Sequence, residues 1–320
     1  MSLLKLRMSM IATVALLIGA STLFFAFVLT MIGITDIASL VSFVLLSNVA
    51  QWLVAPYLIG AMYKTKEITE SENPTLHGIV ARLSQRMNVK MPRMMLANIP
   101  IANAFAYGSP LSGNRLAVTS GLLNELQEEE VEAVLGHELG HLKNRDVQTM
   151  MFASVLPAIF YYIGYSTMMS TQQGAGTQRE GGSAAPALIG MASMVIYYVL
   201  TLLVLGLSRI REYYADQKSV SVVDDGARKL SEALAKIVAA SSKTKQYKLA
   251  PGKLNSFKAL FIEDPDSASR DELAISGTRM SDQQLVNELL SRKVGTVDYL
   301  LELLSTHPNI VKRLQALQKA

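Results

Sequence analysis

Four long runs of apolar residues alternate with polar segments along the chain. The runs cover residues 10–33, 37–62, 150–169 and 186–207, and none contains Asp, Glu, His, Lys or Arg. Each reaches the length of about 20 residues that a helix needs to cross a bilayer. The first run is too long for the core of a signal peptide and lacks a clear small-residue cleavage site, so it is predicted to be an anchor. The pattern therefore predicts four transmembrane helices.

The polar segments carry shorter patterns of their own. Apolar residues recur at helical spacing from Val131 to Leu142, with acidic residues before them and basic residues behind, which complements the helix macrodipole. Two short strands are predicted at 103–106 and 116–119, around a turn at 108–110. The two strands are equally compatible with a plain structural hairpin and with an edge strand that binds substrate.

These patterns predict a mainly α integral membrane protein with a helical cytoplasmic domain that contains a small β-hairpin or sheet. Residues 1–63 hold transmembrane helices 1 and 2, and 64–149 form the first cytoplasmic part. Helices 3 and 4 occupy 150–207, with a flexible polar linker at 170–185 between them. The second cytoplasmic part, 208–320, is predicted to be helical.

Composition supports a membrane protein and narrows the chemistry. Half of the 320 residues are hydrophobic, only 18% are charged, and the mean hydropathy is +0.27. The chain has no Cys, which excludes disulfides and Cys-ligated metals. The net charge of +4 comes from scattered basic residues, and no nucleic-acid-binding motif is present, so no nucleic-acid partner is expected.

Basic residues are distributed unevenly between the apolar runs. Segment 63–149 carries nine Lys and Arg and segment 208–320 carries eighteen, whereas 34–36 carries none and 170–185 carries one. This alternation fits the positive-inside rule with both termini in the cytoplasm. Both polar segments are therefore predicted to face the cytoplasm.

The most informative motif is the pentapeptide 137–141, with the sequence HELGH. His137 and His141 lie four residues apart, so on a helix they share one face and can bind one metal ion together. Glu138 points in an adjacent direction and can activate a water molecule without being a ligand. Since Cys is absent, zinc with His and carboxylate ligands is the predicted cofactor, one ion per chain. The alternative is a helix that carries two His by chance.

A catalytic zinc site normally has three protein ligands and one open position. Glu212 follows the fourth apolar run and is the candidate third ligand, and Asp216, one turn later, is placed to accept a hydrogen bond from the far nitrogen of a zinc-bound His. Taken alone, the two acids are more typical of a solvated acid pair at the start of a helix. An antiparallel membrane hairpin would bring His141 and Glu212 to similar depths at the cytoplasmic surface.

Taken together and in order, these motifs resemble the HtpX-type membrane zinc metalloproteases, which are related to the CAAX prenyl-protein endopeptidases. HELGH is shared with other metalloproteases, whereas the ordered combination is more specific. One departure is Asn309, where the family usually has a second Pro. The residues that carry the resemblance, over nearly the whole chain, are 72–74, 103–108, 117–123, 137–141, 144–146, 208–216 and 306–308 with Arg313.

The resemblance implies a gluzincin-like metallopeptidase in which His137, His141 and Glu212 bind zinc and Glu138 is the general base. It implies that Asp216 supports a zinc ligand and that His307 stabilises the oxyanion, although His307 before a Pro is also typical of a helix start. Asn103 and Ala104 are expected to contact the substrate backbone by β-augmentation.

The implied function is hydrolysis of membrane proteins or of unfolded cytoplasmic segments, in membrane-protein quality control, with polypeptides and the lipid bilayer as partners. A prenyl-protein processing protease shares the same metal chemistry and stays an alternative. A catalytically silent zinc scaffold would not need Glu138. A metal transporter is disfavoured because the four runs lack ionisable residues.

Overall fold

The computed structural model describes residues 37–174, 185–246 and 281–320. The chain divides into two compact units. The HELGH unit contains Leu53–Val147 and Ser208–Ala320, and the apolar unit contains the segment that ends at Trp52 together with Gln148–Leu207. The helices of the described residues are α1 (Ile37–Met62), α2 (Pro74–Met87), α3 (Ser120–Glu125), α4 (Glu128–Lys143), α5 (Asp146–Gly174), α6 (Ala185–Val222), α7 (Gly226–Gln246), α8 (Asp282–Ser291), α9 (Thr296–Leu303) and α10 (Ile310–Leu317).

One described helix, α6, is long and apolar enough to cross a membrane. Only 22% of its most apolar window is buried, whereas the core helix of a soluble protein would be mostly buried. In the apolar unit, Phe160 of α5 and Leu200 of α6 belong to one buried cluster. The first apolar run, 10–33, lies outside the described residues, and the arrangement of four spans stays a prediction. Helix α5 continues to Gly174, inside the range predicted for the linker at 170–185, and most of that range lies outside the described residues.

The HELGH unit contains a four-stranded sheet with the order β1-β2-β4-β3. Strands β2 and β4 are parallel, and the other neighbouring strands are antiparallel. The predicted hairpin is confirmed as β3 and β4, with β3 at the edge of the sheet. Both strands are longer than predicted, and the turn predicted at 108–110 was wrong, because β3 continues through Ser109 and the connection is at 110–112. The strands are β1 (Lys66–Glu67), β2 (Arg93–Ala97), β3 (Ala104–Ser109) and β4 (Gly113–Thr119).

Helix α4, which carries HELGH, is capped at its start and buried along most of its length. The backbone N–H of Gln127 donates to Glu130 Oε2 at 2.7 Å, as part of a capping box. Three glutamates in the first turn and Lys143 in the last turn complement the helix dipole. The helix packs against α2, α7 and β3, and its Leu135 and Leu139 are fully buried. The motif is therefore held in a rigid core.

Two glycines on α4 allow a close approach to α6 within the HELGH unit. A Cβ atom on Gly140 would lie 3.2 Å from the Cα of Ala215, and one on Gly136 would lie 2.9 Å from Ser219 Oγ. The Ser219 hydroxyl donates to the carbonyl of Ala133 at 2.6 Å and ties the helices together. Side chains larger than a hydrogen atom at these positions would separate α4 from α6.

We expect Gly140→Val to lower the free energy of unfolding by roughly 1–3 kcal/mol, because the new side chain overfills this contact. The measurement is thermal unfolding of the purified protein in detergent. The matched control is Gly78→Val on α2, where a Cβ meets nothing within 4 Å. An equal unfolding temperature for the two variants would contradict the tight contact between α4 and α6.

Candidate metal centre

The helical spacing of HELGH brings two imidazoles together at the surface of α4 that faces α6. His137 Nε2 lies 3.1 Å from His141 Nε2, and the two rings are perpendicular with their centroids 4.7 Å apart. His137 is buried and His141 is partly buried. Two nitrogens this close, at the ends of two separate rings, are placed to share one cation.

Glu212 of α6 completes a triangle with these nitrogens. Its Oε2 lies 3.5 Å from His137 Nε2, and its Oε1 lies 3.5 Å from His141 Nε2. Glu212 is buried, and its Oε2 makes no hydrogen bond within the part of the chain that the structure describes. The close approach of α4 and α6 is what delivers this carboxylate to the two histidines.

The three donors fit a divalent metal ion. Metal–nitrogen and metal–oxygen bonds of zinc are about 2.0–2.2 Å long, so tetrahedral ligands are separated from one another by roughly 3.3–3.6 Å. The observed separations of 3.1, 3.5 and 3.5 Å are close to this range. His137, His141 and Glu212 could therefore hold a metal ion.

The ring of His137 is oriented by Asp216 and Arg313. His137 Nδ1 lies 2.8 Å from Asp216 Oδ1, a distance that fits Nδ1 as the hydrogen-bond donor. Arg313 of α10, which is completely buried, donates from Nε and Nη2 to the two oxygens of Asp216, each at 2.7 Å. This bidentate pair leaves Asp216 little rotational freedom.

The ring of His141 has an equivalent support that sequence reasoning missed. His141 Nδ1 lies 2.6 Å from Asp146 Oδ2, and Arg211 Nε lies 3.1 Å from the other oxygen of Asp146. Arg145 adopts a left-handed conformation, with a φ of 55°, so the chain turns sharply between α4 and α5 and returns Asp146 to the histidine. A weak signal was present, since 144–146 contributed to the resemblance, but no role was assigned to Asp146.

Electrostatics at the centre favour positive charge between the histidines and Glu212. Burial and Arg313 oppose protonation of His137, but hydrogen bonds to Asp216 and Glu212 outweigh them and raise its pKa to about 9. Burial opposes ionisation of Glu212, yet His307, His137 and His141 hold its pKa well below the usual range. A bound cation would take the place of the proton that this environment stabilises.

Glu138 lies beside this triangle and contacts the edge strand of the sheet. Its Oε2 accepts a hydrogen bond from the backbone N–H of Ala106 in β3 at 2.9 Å. Burial raises the pKa of Glu138 above its ordinary value. A carboxylate with a raised pKa is suited to take up a proton and to release it again.

His307 also reaches the centre, from the loop between α9 and α10. Its Nε2 lies 3.9 Å from Glu212 Oε1, its Nδ1 lies 3.0 Å from the hydroxyl of Thr306, and the residue is buried. Asn309 caps α10, since its Oδ1 accepts from the backbone N–H of Val311 at 3.0 Å. The structure therefore brings His307 to the proposed ligands, 170 residues after His137 in the chain (307 − 137 = 170).

The two residues expected to contact substrate differ in their backbone directions. Asn103 is buried, its N–H donates to Thr119 Oγ1 at 2.9 Å, and its carbonyl accepts from the Thr119 N–H at 3.0 Å. Backbone groups alternate in direction along an antiparallel strand, so those of Ala104 and Ala106 point to the outer edge of β3. The hydrogen bond from Ala106 to Glu138 agrees with this direction. Of the two residues, Ala104 is the one placed to contact an added strand.

A second group of acids has metal-like spacing, but a lysine occupies its centre. It consists of Glu130, Glu232 and Asp282. Lys236 Nζ lies 2.7 Å from Glu130 Oε1 and 2.9 Å from Asp282 Oδ2, and Arg228 pairs with Glu232 at 2.7 Å. This group is therefore an ion-pair network that joins α4, α7 and α8.

Comparisons with known proteins agree with this geometry. Residues 70–320 match the model of "Peptidase family M48". A "Protease HtpX homolog" from Thermoplasma acidophilum is 37% identical over 278 residues, which are 86% of this chain and 83% of that protein. A protein of the same name from Thermoplasma volcanium is 31% identical over 97% of this chain and 91% of its own length.

A solved structure shows the same fold. The crystal structure of S. mikatae Ste24p aligns with a TM-score of 0.55 and 16% identity, over 98% of this chain and 67% of that chain. At this identity the likeness concerns the mainly helical fold alone. The family model and the relatives, by contrast, cover most of this sequence. The chain belongs to peptidase family M48 and is an HtpX-type metalloprotease.

Proposed function

We propose that this metalloprotease is a zinc endopeptidase in which His137, His141 and Glu212 hold the ion and Glu138 is the general base. The observation that carries the proposal is the triangle of donors from His137, His141 and Glu212, with Glu138 directly beside it. Two imidazoles and one carboxylate favour zinc over metals that prefer all-oxygen sites.

Zinc at this position would polarise the scissile carbonyl and make a water molecule acidic enough to attack it near neutral pH. Glu138 takes a proton from the attacking water and later delivers it to the leaving amine. The Ala106 N–H fixes Oε2 of Glu138, which leaves its Oε1 for the water. No covalent intermediate with the chain is required.

His307 and the β3 edge supply the remaining roles. His307 Nε2 lies near Glu212 Oε1, and from there it can donate to the oxyanion that develops on the scissile carbonyl. An extended substrate that pairs with the outer edge of β3 would meet backbone groups of Ala104 and then pass Glu138. Asn103 supports this edge from within the sheet, through Thr119.

The proposed substrates are membrane proteins and unfolded cytoplasmic segments, degraded in membrane-protein quality control. The proposed location is the plasma membrane of a prokaryote, with four spans and with both termini and the active site in the cytoplasm. Support comes from the long, weakly buried apolar helix α6 and from the distribution of basic residues. The role in quality control follows from the resemblance to the HtpX-type proteases.

We expect Glu138→Gln to abolish cleavage of an unfolded protein in detergent while one zinc ion per chain is retained. The amide cannot take a proton from water, and Glu138 is not among the proposed ligands. Activity is followed by release of labelled peptides, and zinc is measured by mass spectrometry of the purified protein. The matched control is Glu128→Gln at the exposed start of the same helix, which should keep full activity.

Removal of the metal gives an independent test of the ligands. A chelator should abolish cleavage by the native chain, and added zinc should restore it. Glu212→Gln should lower the zinc content of the purified protein, because a neutral amide is a far weaker ligand. Full activity of Glu138→Gln, or a native chain that the chelator does not inhibit, would refute the proposed mechanism.

We further expect Asp146→Ala to weaken zinc binding by roughly 10–100-fold, because His141 loses the partner that orients its ring. Asp146→Asn should weaken it less, since the amide oxygen can still accept from Nδ1. Affinity is measured by competition with a fluorescent chelator, and the unfolding temperature of the metal-free protein shows whether each variant is folded. Native affinity in a folded Asp146→Ala variant would contradict a positioning role for this residue.

A further inference from the structure

Helix α9 presents its apolar side chains outward and its charged side chains inward. None of its residues is buried against the part of the chain that the structure describes. Both of its acids, Asp298 and Glu302, are less exposed than the apolar residues around them. The exposed apolar face, with the exposed fraction of each residue, consists of Val297 (65%), Tyr299 (53%), Leu300 (60%), Leu301 (36%), Leu303 (48%) and Leu304 (69%).

The acids of α9 are used by the protein itself. Asp298 Oδ2 accepts from the backbone N–H of Gly295 at 2.8 Å and caps the helix. Glu302 accepts from the backbone N–H of Asn309 at 3.3 Å and forms an ion pair with Lys312. Lys312 also lies 3.9 Å from the centre of the Tyr299 ring. Because these contacts set the rotation of the helix, its leucines cannot turn inward.

An exposed face of six large apolar residues marks a surface that contacts something other than water. The position of α9 indicates what this surface contacts. Arg209 Nη1 donates to the carbonyls of Glu302, Leu303 and Ser305, at 2.6, 3.3 and 2.7 Å. These are the last carbonyls of α9 and of the turn after it, so Arg209 fixes the end of the helix.

Arg209 follows the last apolar residue of the run 186–207 by two positions in the continuous helix α6. At about 1.5 Å of rise per residue, it lies roughly 3 Å beyond the end of that run. In a membrane-spanning α6 this is the depth of the lipid headgroups. The end of α9 is therefore fastened to a residue that follows a candidate membrane span by two positions.

We propose that α9 is an interfacial helix that lies in the bilayer surface, with its apolar face toward the acyl chains. Interfacial helices bury their apolar face about 5–10 Å into the boundary between headgroups and chains. The proposal rests on the membrane location given under the proposed function. The lipid surface is the partner because the exposed apolar residues surround more than half of a single helix, and because Arg209, two residues after the apolar run of α6, holds the end of that helix.

This contact has a consequence for the site. The chain passes from α9 through Ser305 and Thr306 to His307, whose Nε2 lies 3.9 Å from Glu212. The backbone N–H of His307 donates to Ser305 Oγ at 3.1 Å, within the same turn that Arg209 holds. Lipid contact at α9 would therefore steady the loop that supplies His307 and keep the histidine at the proposed zinc ligands.

The test uses the absence of Cys from the chain, which permits single labelling sites without further changes. Three variants of the full-length protein are made, Leu300→Cys on α9, Val199→Cys in the apolar run of α6, and Gln85→Cys on the exposed side of α2. Each is labelled with an environment-sensitive fluorophore and placed in phosphatidylcholine nanodiscs, one chain per disc. Quenching is measured with spin-labelled lipid and with iodide in the water.

The label at Leu300 should lose most of its emission to lipid spin-labelled near the headgroup, shift its emission to the blue, and resist iodide. The label at Val199 should be quenched by lipid that is spin-labelled deeper in the chains. The label at Gln85 should respond to iodide alone. This combination of results would support an interfacial α9.

Other outcomes separate the failure of this proposal from failure of the membrane location. If Val199 is open to iodide and insensitive to lipid, the location itself is wrong. If Val199 is quenched by lipid while Leu300 behaves as Gln85 does, α9 does not contact the bilayer. Shielding of Leu300 from both quenchers would mean that protein covers it. If Leu300 is shielded only after unfolded polypeptide is added, the face binds substrate. If it is shielded only with two chains per disc, the face is a self-association surface. Either result would overturn the lipid contact.

Discussion

The close contact between α4 and α6 is the constraint on which the rest of the site depends. Gly140 and Gly136 meet Ala215 and Ser219 at distances that leave no room for a larger side chain. Only at this separation can a carboxylate from α6 reach two imidazoles on α4, with one carboxylate oxygen 3.5 Å from each imidazole nitrogen. The glycine inside HELGH therefore has a structural task in addition to the chemistry of its neighbours.

Each histidine ring is oriented at its Nδ1 by an aspartate that pairs with an arginine. Asp216 and Arg313 hold His137, and Asp146 and Arg211 hold His141. Burying this many charges is costly unless each is paired, and here each aspartate lies between an imidazole and a guanidinium. The arrangement fixes the direction of both rings before any metal ion binds.

The proposed catalytic groups come from elements that meet only in the folded HELGH unit. The edge strand β3 contributes a backbone N–H that holds Glu138, and the backbone groups of Ala104 point to the same outer edge. The loop after α9 contributes His307, and Arg209 of α6 holds the end of α9. The helix that carries the proposed third ligand thus also anchors the loop that carries the proposed oxyanion donor.

The sequence by itself determined the features that depend on local spacing. A separation of four residues places His137 and His141 on one face of a helix, and runs of about 20 apolar residues identify segments suited to a bilayer. Alternation of residue types was enough to predict the hairpin of β3 and β4. The pair Glu212 and Asp216 was a candidate on the same grounds, one helical turn apart.

Only the tertiary structure decided which distant residues meet and which face of each element turns inward. Asp146 carries no periodic signal, and it becomes the partner of His141 because a left-handed residue turns the chain back. From the sequence, an arginine such as Arg313 is expected at the surface. It is completely buried because it is the counter-ion of Asp216. Helix α9 has an ordinary amphipathic pattern, but its acids pair with Arg292 and Lys312 from neighbouring segments, and these contacts turn its leucines outward. Periodicity defines two faces, and the partners of the charged face determine which of them is buried.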